Sequence, residues 1–317
     1  MCIKKISRVC IVNNAYVLFQ YFLLSSLEEI GHTFFFFAED INDNIADRFK
    51  HARLCLPSSK IKVFFFLIWL KITSDVKWPF LKECEFWGQD NILITSPLLK
   101  NRKIILPEDG LLNYNFVPIK RKFKWIRRLL FGNLLSECGL GYSRNVDTMY
   151  LTGIKKIPQR LEEKVHIVDY SSIWKSSSPE KQKFIMEVFG ISEDIFDIFG
   201  NNSKVLFTQP LSEDKILSED EKIEIYKKIV KIVGSDLIIK THPREVTNYR
   251  QIFPENIVYD KPVPLELISL VGIHFAEVYT LFSTAVLNLP NSTKINWLGC
   301  YGSSKLKNKY GTSIDMP

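Results

Sequence analysis

Short apolar runs bounded by turn residues alternate along the chain with longer segments whose apolar positions recur at helical spacing. That alternation predicts an α/β fold with parallel strands. The runs read as strands are Val9–Val12, Thr33–Phe37, Ile92–Thr95, Lys103–Leu106, Met149–Leu151, Val165–Val168, Val205–Thr208, Leu237–Lys240, Ile257–Tyr259 and Ile295–Leu298. The clearest helix runs from Ser218 to Val233. Ser218-Glu219-Asp220-Glu221 forms a capping box, and Ile223, Ile225, Tyr226, Ile229, Ile232 and Val233 supply its apolar face. Lying between the strands at Val205 and Leu237, it completes a βαβ unit and predicts a second parallel sheet in the second half. The stretch Ser171 to Lys183, with Ser176-Ser177-Ser178-Pro179 at its centre, reads as a linker and places the domain boundary near residue 180.

A length of 317 residues fits two domains of this kind, 1–180 and 181–317. With 46% apolar and 24% charged residues and no repeat, the chain is neither disordered nor fibrous. A formal charge of +7 favours anionic partners without choosing among them. Cys2, Cys10, Cys55, Cys84, Cys138 and Cys300 show no zinc or redox spacing, which points to reduced thiols in the cytoplasm. The basic N-terminus lacks the pattern of a signal peptide. The most apolar stretch, Val63 to Leu70, is about half the length of a membrane span and is flanked by Lys60, Lys62 and Lys71. It reads as a buried helix or an interfacial patch.

Three constellations can carry chemistry. Ile104 to Gly110 ends a strand in Glu108-Asp109-Gly110, where a carboxylate can act as a general base and the glycine permits a sharp turn. An ordinary acidic surface turn has the same composition. Leu237 to Glu245 ends a strand in Lys240-Thr241-His242-Pro243-Arg244. There the proline fixes the backbone, the histidine can meet a leaving phosphate, and the arginine can fork onto it. A solvated basic loop is the plainer alternative. Ala276 to Val286 carries Glu277 and the hydroxyl pair Ser283-Thr284 at what reads as a helix start, either a phosphate contact or simply an N-cap.

A fourth segment, Lys120 to Phe131, has six positive charges and no negative one among aromatic and aliphatic residues. It fits a helix on an anionic membrane, a nucleic-acid contact or a solvated basic face. The chain has no Walker A, GxGxxG, GxSxG or HExxH motif and no Asp-x-Asp at a strand end, so no metal site is expected.

In their order, the acidic turn, Thr241-His242-Pro243-Arg244 and Glu277-Val278-Tyr279-Thr280-Leu281-Phe282-Ser283-Thr284 resemble the motifs of bacterial sialyltransferases, most closely glycosyltransferase family 52. The matching motifs cover about 25 residues, in a span from 104 to 286. The resemblance implies a GT-B fold, two Rossmann-like domains facing a cleft, with the first on the acceptor side and the second holding CMP-sialic acid. It implies inverting, metal-independent transfer to a terminal sugar, galactose in the first instance, on a lipooligosaccharide or O-antigen chain.

By that resemblance Asp109, or its neighbour Glu108, is the base, with Gly110 shaping the turn and contacting the substrate. His242 serves the departing phosphate, as stabiliser or general acid. Pro243, Arg244, Ser283 and Thr284 bind the nucleotide and Glu277 contacts its ribose or base. Some members carry an acid just after the proline that follows the first strand of the second domain. Here that stretch is Gln209-Pro210-Leu211-Ser212-Glu213-Asp214, which makes Asp214 the alternative base and Gln209 a substrate contact.

The expected partners are CMP-sialic acid and a glycan or glycolipid acceptor, with peripheral contact to the inner membrane face through Lys120–Phe131, a homodimer, and no nucleic acid. Transfer of another CMP-activated acidic sugar is the nearest alternative. A non-catalytic RNA- or membrane-binding protein on a Rossmann-like scaffold is the alternative of another class.

Overall fold

The structure, a computed structural model, describes residues 5–114, 140–200, 203–301 and 303–310. The chain divides into two compact units, Met1–Val188 and Phe189–Pro317.

The first unit is built on seven strands: β1 (Arg8–Val12), β2 (Thr33–Phe37), β3 (His51–Arg53), β4 (Glu85–Gly88), β5 (Ile104–Pro107), β6 (Val146–Leu151) and β7 (Val165–Ile167). They pair in parallel in the order β3-β2-β1-β4-β5-β6-β7, so the direction of strand addition reverses between β1 and β4. Val9, Cys10, Ile11 and Val12 are all fully buried, as expected of a central parallel strand covered on both faces. Helix Ala15–Leu24 covers one face and starts sharply because the Asn14 side chain accepts the Val17 N–H at 2.9 Å. Helix Lys60–Lys77 buries Leu67 and Leu70 in a cluster with Trp78, Leu81, Phe86 and Leu106. Gly88 is required where β4 lies against β1, since a Cβ there would come within 1.9 Å of the Ile11 carbonyl oxygen.

The second unit carries β8 (Ser203–Phe207), β9 (Leu237–Lys240), β10 (Val258–Tyr259), β11 (Phe275–Thr280) and β12 (Lys294–Trp297), parallel in the order β10-β9-β8-β11-β12. Its reversal lies between β8 and β11. Both units are therefore doubly wound α/β sheets of the Rossmann type.

Four sequence expectations change. Ile92–Thr95 is not a strand: the place beside β1 is taken by Glu85–Gly88, whose ladder ends when Gln89 N–H reaches the Ile11 carbonyl, and Thr95 instead opens a helix. The segment Ala276–Thr280 is not a prelude to a helix but part of strand β11, an inner strand between β8 and β12. The Ser171–Lys183 stretch is mostly helical, Tyr170–Ser176 capped by Asp169 and a second helix opening at Pro179, so its serines mark a break between helices. Helix Glu219–Val233 has both bonds of its capping box, yet Ile232 is 71% exposed while Lys222 is fully buried. Among the described residues no helix is long and apolar enough to cross a membrane, and Cys10, Cys55, Cys84 and Cys300 are free thiols.

Candidate active site

Ligands of open α/β sheets bind beyond the carboxyl ends of the strands, where the order reverses. Each unit gathers its polar residues at such a point. In the first, β5 delivers Glu108 and Asp109, and Gly110 turns the chain with φ +61° into a short 3-10 turn, Gly110–Tyr114. A Cβ at Gly110 would meet nothing, so it is the left-handed backbone that the glycine serves.

The two carboxylates have different surroundings. Glu108 is fully buried, and its carboxylate accepts the hydroxyls of Tyr16 at 3.2 Å and Tyr114 at 2.6 Å and both the N–H and the hydroxyl of Thr152 at 2.7 and 2.8 Å. Its backbone exchanges two further bonds with the Gln20 amide. A base must reach its substrate, and from this position Glu108 reaches only its own partners. It ties the ends of β5 and β6 to the first helix.

Asp109 is partly exposed and sits where the polar residues after β1 and β4 converge. Asn14 donates to Oδ1 at 3.1 Å, and Gln89 and Asn91 donate to Oδ2, each at 2.9 Å. All three are neutral amides, so they orient the carboxylate without neutralising it, and Oδ1 keeps a lone pair for an incoming hydroxyl. Beside it, Asp90 accepts the Leu140 and Gly141 N–H groups at 2.7 and 2.9 Å, which fixes the chain at residue 140 next to the site. Burial pushes its carboxyl up to about 6 despite those two bonds.

In the second unit, the loops after β8, β9 and β11 come together. Gln209 Oε1 accepts the Phe282 N–H at 3.1 Å, joining the two strand ends across the reversal. Thr208 receives the His242 N–H at 3.3 Å and donates its hydroxyl to Glu245. Glu245 also accepts the His242 N–H at 2.8 Å and the Tyr249 hydroxyl at 2.6 Å, and burial raises its carboxyl. Behind it lies Lys222, fully buried, with Glu213 and Glu219 at 3.1 Å and Glu245 at 3.7 Å. This buried group holds the backbone of His242–Val246, whose Val246 N–H reaches Glu213 at 3.0 Å.

His242 itself accepts the Arg244 N–H at Nδ1, 3.2 Å away, leaving Nε2 to carry the proton. Burial, helped by the charges of Arg244 and Lys240, lowers it to about 4. The ring is therefore a neutral donor at pH 7. Lys240 is buried, donates to the carbonyls of Thr241 and Lys261 at 3.0 Å, and is pushed down to about 8 by that burial. Pro243 and Arg244 follow in the loop, where Arg244 forks onto Asp214 at 2.7 and 3.2 Å. Asp214 thus stands as the partner of an arginine rather than as an unengaged acid. A cavity of about 180 Å³ lies along this loop, lined by Thr241, His242, Pro243, Thr247 and Asp260 among others. That is less than the roughly 300 Å³ of a pocket that encloses a whole ligand.

Ser283 sits just before a 3-10 turn, Thr284–Asn288, but its hydroxyl makes no capping bond; its N–H goes to the Thr280 hydroxyl at 3.0 Å. Only the backbone of Thr284 is described. Glu277 is not brought together with these residues. It pairs in register with Lys204, three positions before the end of β11, about 10 Å back along the strand, and bonds Tyr279, Lys294 and Asn296. The basic segment Lys120–Phe131 lies outside the described residues. Among the described residues no group of three or more His, Cys, Asp and Glu side chains is placed to hold a metal ion.

Sequence reasoning missed Asn14, Gln89 and Asn91 around Asp109, and Thr208, Lys222 and Glu245 beneath His242. The signal was present for the first set, since Asn13-Asn14 and Gln89-Asp90-Asn91 are polar clusters after apolar runs. For Lys222 there was none, because a lysine on a helix of alternating charges reads as solvated.

Comparison with known proteins adds identity to this geometry. An uncharacterised protein of Haemophilus influenzae is 33% identical over 313 residues, covering 96% of this chain and 97% of that one. The fold is shared with the GT-B domain of a sialyltransferase from Photobacterium damselae, TM-score 0.53 at 13% identity over 91% of this chain and 89% of that one. An α/β-galactoside α-2,3-sialyltransferase of Photobacterium phosphoreum gives TM-score 0.52 at 14% identity, over 92% of this chain and 89% of that one. A UDP-GlcNAc 2-epimerase of Methanocaldococcus jannaschii has nearly the same similarity, TM-score 0.51 at 11% identity over 97% of this chain and 93% of that one. At such identities the likeness establishes a GT-B-type fold and leaves the chemistry to the sequence. The glycosyltransferase family 52 model matches residues 28–297, which include the acidic turn, the His-Pro-Arg loop and β11 with its hydroxyl pair, and the chain belongs to that family.

Proposed function

We propose that this glycosyltransferase is an inverting sialyltransferase, moving sialic acid from CMP-sialic acid to a sugar hydroxyl, galactose in the first instance, of a bacterial surface glycan such as a lipooligosaccharide or O-antigen chain. The observation that carries the reading is the pair of constellations, each at the reversal point of its own sheet. One presents an accessible carboxylate held by neutral amides, the other a neutral histidine beside an arginine and a serine hydroxyl that makes no capping bond.

Glycosyl transfer needs both. Asp109 takes the proton of the acceptor hydroxyl as its oxygen bonds to the anomeric carbon. The bond from that carbon to the phosphate oxygen breaks, and its electron pair leaves with CMP. His242 donates its Nε2–H to the phosphate, and Ser283, Thr284 and Arg244 add donors where charge develops. Since His242 is neutral, it serves as a hydrogen-bond donor to the departing group rather than as a strong acid. Hydrogen bonds from these residues to the departing phosphate are what supports transfer without a metal. A second CMP-activated acidic sugar, another nonulosonate or Kdo, would satisfy the same groups and is the nearest rival donor.

The test is CMP release from CMP-sialic acid with galactose-terminated acceptors, with and without EDTA, by the wild type, His242→Ala and Asp109→Ala. Product in EDTA that is lost in both variants supports the reading, and the anomeric configuration of that product by NMR reports inversion. Release only from another CMP-sugar moves the donor. No release from any of them removes the proposal.

A further inference from the structure

Lys222 and Lys240 are both buried in the second unit, and their surroundings differ. Lys222 has three carboxylates around it, Glu213, Glu219 and Glu245. Lys240, the last residue of β9, has none within ion-pair distance among the described residues. Its ammonium donates to the backbone carbonyls of Thr241 and Lys261, each at 3.0 Å, and lies 5.6 Å from the centroid of the Tyr259 ring. Its partners in register are uncharged, Phe207 on β8 and Tyr259 on β10. The acids whose field reaches it, Glu245 and Asp260, are engaged elsewhere. Glu245 faces Lys222 and accepts from Thr208, Tyr249 and the His242 N–H, and Asp260 takes two bonds of 3.1 Å from Arg250. Lys261 lies 6.0 Å from the centroid of the same Tyr259 ring and adds no negative charge. The charge of Lys240 is in turn felt at His242, two residues on.

We propose that the phosphate of the nucleotide is the counter-charge of Lys240, and that binding it draws a proton onto this lysine. Burying a cation without an anion is costly, and such groups gather where a site has use for the charge. Two carbonyl dipoles and a ring face offset that cost only in part, so burial pushes the free lysine down to about 8. The inference rests on the reading of His242 as the group that meets the phosphate. An anion held there lies within the same field, which a buried site screens weakly, so Lys240 acts on it without having to touch it. The anion favours the charged form of the lysine. A side chain half neutral at pH 8 in the free protein is therefore charged in the complex, and by linkage the affinity for the nucleotide falls as the pH rises through that value.

The experiment is calorimetric titration of the full chain with CMP, at pH 8 in two buffers of different ionisation enthalpy to count protons, and from pH 7 to 9.5 for the affinity. The CMP phosphate, with its second ionisation at about 6, is a dianion throughout, and His242, which titrates near 4, exchanges no proton in this range. The wild type is expected to take up about half a proton at pH 8 and to bind about tenfold more weakly at pH 9.5 than at pH 7. Lys240→Gln keeps N–H donors for the carbonyls but has no charge, and is expected to bind about tenfold more weakly at pH 7 with neither effect. Lys240→Arg, charged throughout, is expected to keep the pH 7 affinity and also to show neither. Circular dichroism checks that each variant folds, and the wild-type proton count stands without them. CMP binding with no proton uptake would overturn the inference and leave the donor reading intact. Uptake that persists in both variants would assign the proton to another group and overturn it equally. No binding of CMP by the wild type would remove the donor reading and this inference together.

Discussion

The backbone N–H of Arg244 points at Nδ1 of His242, 3.2 Å away, and so decides which nitrogen of the ring carries a proton. A protonated imidazole would set two donors against each other there. Burial, with the neighbouring charges of Arg244 and Lys240, keeps the ring neutral down to about pH 4, and that clash acts in the same direction. On the proposed function, replacing His242 by Ala removes one donor to the leaving phosphate and is expected to lower kcat about 10²–10³-fold, while His242→Gln, whose amide can still donate, recovers part of the loss. Steady-state kinetics on the two variants check this; equal losses would mean that the ring does more than donate one hydrogen bond.

The same relationship sets a pH dependence of stability. The unfolded chain takes up the His242 proton near 6.5, the folded one only near 4, so between those values acid favours the unfolded state. The stability this group contributes is fully present above about pH 6.5 and is lost as the pH falls towards 4. Urea unfolding of the wild type and His242→Gln at pH 7.5 and 5 is expected to show the wild type losing ground on acidification. A difference between them that stays constant with pH would contradict the assignment.

Lys222 gives the second unit its most consequential buried charge. Its ammonium is the centre of Glu213, Glu219 and Glu245, and Lys222→Met leaves those carboxylates facing one another. Breaking such a group from one side costs about 3–5 kcal/mol. The deficit should shrink as the pH is lowered, because carboxylates without their cation take up protons more readily when folded than when unfolded. Denaturant unfolding of the variant at pH 7.5 and 5 measures both. A variant as stable as the wild type at pH 7.5 would show that the lysine is dispensable.

How much of this was legible in the sequence follows from what each residue needed. Nine of the ten strands read from apolar runs are present, since a short run of Val, Ile and Phe between turn residues has few other ways to bury itself. The exception, Ile92–Thr95, is as apolar as the rest, but its neighbour Glu85–Gly88 had already filled the ladder beside β1. β11 was hidden because Glu277 and Tyr279 alternate with its apolar residues and the hydroxyl pair beyond drew the eye to a helix. Asp109 and His242 stood out as polar residues at strand ends. Their supports did not, because Asn14, Gln89 and Asn91 come from the ends of other strands, and only the strand order brings them to one carboxylate. Glu277 shows the complementary limit: its place in a motif says nothing about how far it stands from the end of its strand.

Those amides around Asp109 supply the last prediction. Asp109→Asn keeps the shape and the hydrogen-bonding distance but cannot accept a proton, and kcat is expected to fall about 10²–10⁴-fold with the KM for the CMP-sugar donor unchanged. Gln89→Ala removes a 2.9 Å bond from Oδ2 and leaves Asn91 and Asn14 to hold the carboxylate. The proposed base is then still present but less well aimed, and a misplacement of about 1 Å is worth up to 10²-fold in rate. Gln89→Ala should therefore lower kcat by about ten- to a hundredfold, again with donor KM near that of the wild type, and with a lower melting temperature because the buried Gln89 also accepts the Asn13 N–H at 2.7 Å. A rise in donor KM with kcat intact would mean that Gln89 acts on the CMP-sugar, not through Asp109, and would move the acceptor's base to another carboxylate.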